Sequence, residues 1–287
     1  MNKVYLVLIV TGLLFIGAVT YSYMLLQDSE PWAQKIAIIE IKGTITSSPV
    51  NGGVDPVPII ELIKKAEENT AIRAIILEIN SGGGAPVASD EIARAVRDAE
   101  KPTVAWIGDV GASGGYWIAS SADKIVAHPM SITGSIGAFS LLIEAEELMD
   151  KIGLNVEYID SAEYKAIGNP FHNATDAERA ILQGIVMEIH EEFVKNVAEN
   201  RNMTLAEVRE IADGKPFTGN RAYELGLVDE LGNEKDAIEL AKKLAEIEGE
   251  PEITRLTPKK PSLFNFKLPF TKMDLAEEIT SYEIVST

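Results

Sequence analysis

From Ile36 onward the chain alternates short apolar runs with amphipathic stretches. Ile36 to Ile41 (Ile-Ala-Ile-Ile-Glu-Ile) is nearly all apolar and suits a buried strand. Residues 44–57, rich in Thr, Ser, Gly and Pro, read as a loop. Pro58 to Glu68 puts Ile59, Ile60 and Ile63 on one helical face. Ile72 to Ile79 is a second apolar strand, running into the turn-forming stretch Asn80-Ser81-Gly82-Gly83-Gly84. Ala88 to Glu100 has the helical period and is stopped by Pro102. Thr103 to Ile107 is a third strand, Asp109 to Ala112 a turn, Ser113 to Ser121 a helix and Lys124 to Ala127 a short fourth strand. Near-continuous apolar strands separated by helices predict an α/β fold with a parallel sheet. The spacing is that of successive βαβ units, without a sequence repeat behind it.

The second half is more helical. Asp176 to Asn200 carries Ile181, Ile185, Ile189 and Phe193 at i+4 spacing, the mark of an amphipathic helix. Thr204-Leu205-Ala206-Glu207 fits a capping box, and Glu234 to Ile247 is a last helix. Beyond Pro251 the chain turns Pro- and Lys-rich. Its apolar segment Leu263 to Phe270 is too short to span a membrane and reads as part of a flexible tail.

At the other end, Val4 to Leu26 contains no charged residue. At about 1.5 Å per residue it is long enough to cross a bilayer. It exceeds the roughly 7–15 apolar residues of a cleaved signal, which predicts an uncleaved anchor. Tyr21 and Tyr23 suit the outer interface. Lys3 on one side and Asp28 and Glu30 on the other orient it, with the amino terminus cytoplasmic and everything after Gln27 outside. The sequons Asn173-Ala174-Thr175 and Asn202-Met203-Thr204 agree with that side. Three parts are expected: an anchor at 1–27, an α/β domain at 32–248 and a tail at 249–287.

Composition narrows the chemistry. The net charge of 26 − 44 = −18 repels phosphate backbones and excludes nucleic acid as a natural partner. Hydrophobic residues make up 46% of the 287, enough for a substantial core. Cysteine is absent, so there is no disulfide framework, thiol nucleophile or thiolate metal site. No His-Glu-x-x-His occurs, and no Gly-Lys-Ser/Thr follows the glycine turn at Ser81 to Gly84.

Two residues stand in settings that nucleophilic chemistry needs. Ser113 lies in Gly111-Ala112-Ser113-Gly114-Gly115-Tyr116-Trp117, where a glycine-flanked hydroxyl can be approached closely. At a helix start, the Gly114 N–H can point at a developing oxyanion, and the neighbouring Ser81 to Gly84 turn can supply a second donor. The competing reading is a helix cap that only packs. Lys165 can act as base if burial keeps its amine neutral. Lowering a lysine from about 10.4 to about 7 costs roughly 4–5 kcal/mol. Tyr164, Ala166, Ile167 and Phe171 offer apolar surroundings, and Ser135, in Thr133-Gly134-Ser135-Ile136-Gly137, is a neutral partner for the amine. Alone, Lys165 reads as a surface charge and Ser135 as a turn serine. Of the three histidines, His128 and His190 read as structural, and His172 is the rival base.

Taken together, Gly111 to Trp117, Thr133 to Gly137 and Lys165 resemble the signal peptide peptidase A family, in its short single-domain form. Leu77 to Gly84 resembles the family's oxyanion strand. Lys215-Pro216-Phe217-Thr218-Gly219 with Leu225-Gly226-Leu227-Val228-Asp229 resembles its C-terminal module. The likeness runs from about Lys35 to Leu244. It implies a Clp-protease/crotonase-like repeated ββα superhelix preceded by one transmembrane helix, and a membrane-anchored serine endopeptidase acting on remnant signal peptides or other short apolar chains. By the same resemblance Ser113 is the nucleophile, Lys165 the general base and Ser135 the residue that positions it. The N–H groups of Gly114 and Gly83 are the oxyanion donors. The family's Ser-Pro-Gly-Gly is here Ser81-Gly82-Gly83-Gly84, so Gly82 competes with Gly83. No cofactor is implied. A ring-shaped homo-oligomer is, and some members build each site from adjacent subunits, a point the Ser-to-Lys interval does not decide. Rival readings are an acyl-coenzyme A enzyme of crotonase fold, disfavoured by the anchor, and a non-catalytic membrane scaffold.

Overall fold

The structure, a computed structural model, describes residues 11–20, 34–47 and 53–258. Residues 11–20 form an exposed helical stretch, α1; the rest of the Val4 to Leu26 anchor lies outside the described residues. Among those described, no helix is long and apolar enough to cross a membrane.

The first half follows the predicted rhythm. Strands β1 (Lys35–Lys42), β2 (Ile72–Ser81), β3 (Thr103–Ala112) and β4 (Lys124–Ala127) alternate with helices α2 (Pro56–Glu68), α3 (Pro86–Arg97) and α4 (Gly114–Ser120). They pair in parallel as β1–β2–β3–β4. Alternation along β1 explains its apolar run. Ala37, Ile39 and Ile41 face one core, with Ile75, Leu77 and Ile79 of β2 beside them. Ile36 and Ile38 face the other, against α9 (Glu234–Leu244) through Ala237, Leu240 and Ala241. A strand with helices on both faces must be apolar on both. Each such isoleucine contributes about 1.5–3 kcal/mol by leaving water.

The stretch Asp109 to Ala112, expected as a turn, is strand. Its glycines suggested a bend, but Val110, Gly111 and Ala112 pair with Ile132, Thr133 and Gly134 of β5 (Ile132–Gly134). The first half of β3 pairs instead with β4, so the sheet forks along one strand. This carries the chain directly from β3 into Ser113, at the lip of the sheet. Beyond β5 lies an antiparallel strand, β6 (Pro216–Thr218), followed by α8 (Gly219–Glu224). The short β7 (Glu230–Leu231) pairs with β4.

The loop expected at 44–57 is partly ordered: buried Ile45 bridges Val54 and Gly84, and α2 starts at Pro56, capped by Asp55. Helices α6 (Asp176–Asn200) and α7 (Leu205–Ile211) both open on capping boxes, at Thr175 and Thr204. Beyond the expected domain end, β8 (Glu252–Leu256) pairs with β1 as an edge strand, so the sheet takes in part of the stretch read as tail. The tail segment Leu263 to Phe270 lies outside the described residues.

The segment before α6 does not join the core. It contains α5 (Glu146–Lys151), which buries no residue, and it exposes Phe139, Leu141 and Ile159, the last at 98%. The amphipathic expectation for α6 holds only in its second half. Phe193, Val194 and Val197 are buried, but Ile181 and Ile185 face solvent beside this arm. The arm is tied to α6 by Arg179 on Glu144, and within the arm the Asn173 N–H donates to Glu146 at 2.7 Å.

Candidate active site

Ser113 sits between β3 and α4 in a conformation that L-residues avoid, φ +53° and ψ −125°. Such a residue persists only where its surroundings impose it. Its N–H donates to the Gly134 carbonyl at 2.8 Å, and its own carbonyl accepts from the Trp117 N–H at 2.9 Å. The half-buried side chain is thereby turned into a cavity of about 490 Å³, lined in part by Gly83, Gly84, Ser89, Trp117, Phe139 and Phe193.

The glycines are there for close approach. A Cβ on Gly83 would lie 2.6 Å from the Gly114 nitrogen and 2.9 Å from the Ser113 Cβ. One on Gly114 would fall 2.3 Å from the Ser89 Oγ, and one on Gly115 2.5 Å from the Ser81 carbonyl oxygen. The turn after β2 is pressed against the nucleophile turn with no room for a side chain between them.

This contact decides which amides are free. Gly114 opens α4, so its N–H has no acceptor within the helix. The Gly83 N–H is already used: it donates to the Ser81 Oγ at 3.1 Å, while that hydroxyl donates to the Gly43 carbonyl at 2.6 Å. Among the described residues the Gly84 N–H meets no protein acceptor, and the Gly84 nitrogen lies 3.2 Å from where a Gly114 Cβ would be. Gly84 therefore joins Gly114 as a free amide at the serine, in place of Gly83. Gly82 lines the same cavity and is exposed like Gly84, but nothing lies within 4 Å of where its Cβ would be, so it stands off from the serine turn. The distinction rests on one serine hydroxyl, which glycine spacing does not report. Ser89, fully buried with its Oγ on the Ala85 carbonyl at 3.0 Å, is another lining residue that sequence reading missed. Its signal was hidden inside an ordinary helical period.

Ser135 follows the residue that binds the Ser113 amide. It too has positive φ, +52°, and its Oγ donates to the Gly214 carbonyl at 3.0 Å, leaving its lone pairs open. Lys165 is placed differently. It lies on the exposed arm, its backbone N–H on the Ala162 carbonyl at 3.0 Å, and it does not line the serine cavity. Among the described residues no hydrogen bond joins it to Ser113 or Ser135 within one chain. Nor does a histidine replace it. His128 is exposed with its Nδ1 accepting from the Met130 N–H, His172 faces Glu178 at 3.3 Å, and none of the three lines the cavity. Among the described residues no carboxylate or histidine cluster is arranged to hold a metal.

The C-terminal module supports the site from behind. Tyr116 is fully buried, its hydroxyl on the Leu227 carbonyl at 2.8 Å, and burial pushes its ionisation up. Asp229 binds the Ile125 N–H at 2.8 Å and Arg201 at 2.8 Å. Burial alone would raise its carboxyl, but the Arg201 hydrogen bond and charge, with Ile125 and Lys124, hold it below the ordinary range.

A strained serine at a strand–helix junction, two free amides beside it and a cavity lined by aromatic rings make up the site class of an acyl-transferring serine hydrolase. The model of Peptidase family S49 matches residues 95–248. The chain is 34% identical over 268 residues to "Putative protease MJ0651" of Methanocaldococcus jannaschii, covering 88% of this chain and 86% of that one. It is 33% identical to Protease 4 of Haemophilus influenzae over 73% of this chain, spanning only 35% of that longer protein. A solved structure of a mutant 1510-N membrane-bound stomatin-specific protease shares the fold, with TM-score 0.53 at 15% identity over 79% of this chain and 99% of that one. The chain belongs to peptidase family S49, the family of signal peptide peptidase A.

Proposed function

We propose that this chain is a membrane-tethered serine endopeptidase in which Ser113 attacks the peptide carbonyl and Lys165 is the base. The observation that carries the reading is the Ser113 turn, held at φ +53° beside two amides, of Gly114 and Gly84, that have no acceptor among the described residues. The Ser113 Oγ adds to the carbonyl carbon and its proton passes to the neutral lysine amine. The oxyanion is met by the N–H groups of Gly114 and Gly84. The lysine then protonates the leaving amine, and water repeats the sequence to release the acyl group.

Lys165 reaches the serine from a neighbouring copy. In support, the lysine sits on an arm whose Phe139, Leu141 and Ile159 are exposed, apolar area of the kind that subunit contacts bury. Seating that arm on the next subunit would strip water from the amine, the condition under which it gives up its proton. Ser135, next to the residue that fixes Ser113, is the neutral hydroxyl that orients it. The forked pairing of β3 with β4 and β5 is consistent with a Clp-protease/crotonase superhelix, and a closed ring follows from head-to-tail arm exchange. Family membership favours remnant signal peptides as substrates. The uncharged stretch Val4 to Leu26 would hold the domain on the extracytoplasmic face of the cell membrane.

The test is labelling with a fluorophosphonate across pH, in the wild type and in Lys165→Ala. The expected result is labelling at Ser113 that rises with pH in the wild type and is slowed at least a hundred-fold in the variant, within the roughly 10²–10⁴-fold span of general-base assistance. Equal labelling of the two proteins would refute the lysine's role.

A further inference from the structure

The serine cavity continues past Trp117. A second hollow of about 860 Å³ opens beyond that ring, between α3 and α6, and shares Pro86, Trp117 and Ile189 with the serine cavity. Along α6 its lining extends from Met187 to Glu199, about 18 Å at 1.5 Å per residue. An extended chain covers that distance in about five or six residues.

Trp117 stands where the two spaces meet. It is only 6% exposed and stacks on Phe193 with ring centroids 4.6 Å apart. Its Nε1 is buried and has no hydrogen-bond partner among the described residues. Buried donors are nearly always paired, so an unpaired one at the junction of two cavities calls for an acceptor brought by a ligand. An extended peptide offers a main-chain carbonyl at every step.

The trench also has a charge preference. Asp90 is neutralised by Arg94 at 2.6 Å, and Glu192 by Lys195 at 2.6 Å. Glu188 and Glu199 line the trench with no ion pair among the described residues, against a single unpaired cation, Arg97. A basic substrate side chain gains there, and an acidic one is repelled.

We propose that the α3–α6 trench holds the extended substrate beyond the serine cavity, that the Trp117 Nε1–H donates to a substrate carbonyl at the crossing, and that the trench selects basic over acidic residues. The proposal rests on Ser113 being the nucleophile. The experiment uses the full chain in detergent with a short apolar peptide and versions lengthened by five residues at either end, carrying Lys or Glu in the added part. Trp117→Phe removes the N–H together with the pyrrole part of the indole, so the comparison of short and lengthened peptides is what isolates the hydrogen bond from the lost ring area. On the lengthened peptides its KM should rise about five-fold more than on the short peptide, the worth of one neutral hydrogen bond. The exposed pair Glu188→Gln and Glu199→Gln leaves the core untouched. It should bring a several-fold preference for Lys over Glu extensions close to unity. Equal KM changes on short and lengthened peptides, or an unchanged Lys-to-Glu ratio, would overturn the proposal. Ser113→Ala separates the two readings: loss of all cleavage there, with trench variants behaving as wild type, removes the trench and leaves the peptidase.

Discussion

At the scale of single residues, the site depends on strain held at one position. A serine at φ +53° and ψ −125° occupies backbone space that belongs to glycine, at a cost of order 1–3 kcal/mol. Two inactive variants separate that cost from the chemistry. Ser113→Ala keeps the strain and Ser113→Gly relieves it, less the extra freedom glycine has when unfolded. Thermal unfolding should place Ser113→Gly about 1 kcal/mol above Ser113→Ala, a Tm difference of ~2–4 °C. A lower Tm for the glycine variant would show that the turn is unstrained. The Gly-Ala-Ser-Gly-Gly run made the strained serine turn legible in the sequence, because few other demands put so many small residues around one hydroxyl. The second amide was not legible. Choosing among Gly82, Gly83 and Gly84 depends on the Ser81 Oγ, which occupies the Gly83 N–H.

At the scale of elements, apolar periodicity located β1, β2 and the first half of β3, and the capping signals at Thr175 and Thr204 are realised as full capping boxes. The second half of β3 escaped because its pairing partner, β5, lies about twenty residues further on and has only three residues of its own. Also outside the reach of local pattern is the ion network that joins β4, α6 and the loop before β7. Asp229, 18% exposed, binds Arg201, 7% exposed, at 2.8 Å. Asp229→Asn should destabilise the domain by about 3 kcal/mol at pH 7, since it leaves the guanidinium buried without its charge partner. The pH dependence has a definite sign. A carboxylate held below its ordinary 3.8 stabilises the fold above that value, and the contribution fades as pH falls through the lower folded value. Urea titrations should therefore show the gap between wild type and Asp229→Asn shrinking as pH is lowered from 5 toward 3. A gap independent of pH would mean that the carboxylate's charge is not what stabilises the junction.

At the scale of the whole molecule, two observations belong together. The segment carrying Lys165 leaves large apolar side chains in water, and among the described residues no lysine or histidine lines the serine cavity. Sequence reading named Ser113 and Lys165, the two residues of the proposed dyad, and could not say whether one chain supplies them, because distance in a folded assembly is not encoded in chain interval. Ile181 to Phe193 do not form one buried face: Phe193 is buried while Ile181 and Ile185 face solvent, because helical period marks which positions are apolar and not what packs on them. The proposed assembly makes the site a property of the interface. Its subunits should be inactive alone, and dilution below the dissociation constant of the assembly should abolish cleavage before it unfolds the domain.

The most direct test mixes two dead subunits, Ser113→Ala and Lys165→Ala, co-expressed so that they assemble together. If each site takes its serine from one copy and its lysine from the next, about a quarter of the sites in a random one-to-one assembly carry both intact residues, and about a quarter of wild-type cleavage returns. If the mixed assembly forms and stays as inactive as either parent, the two residues do not meet across subunits and the account is wrong.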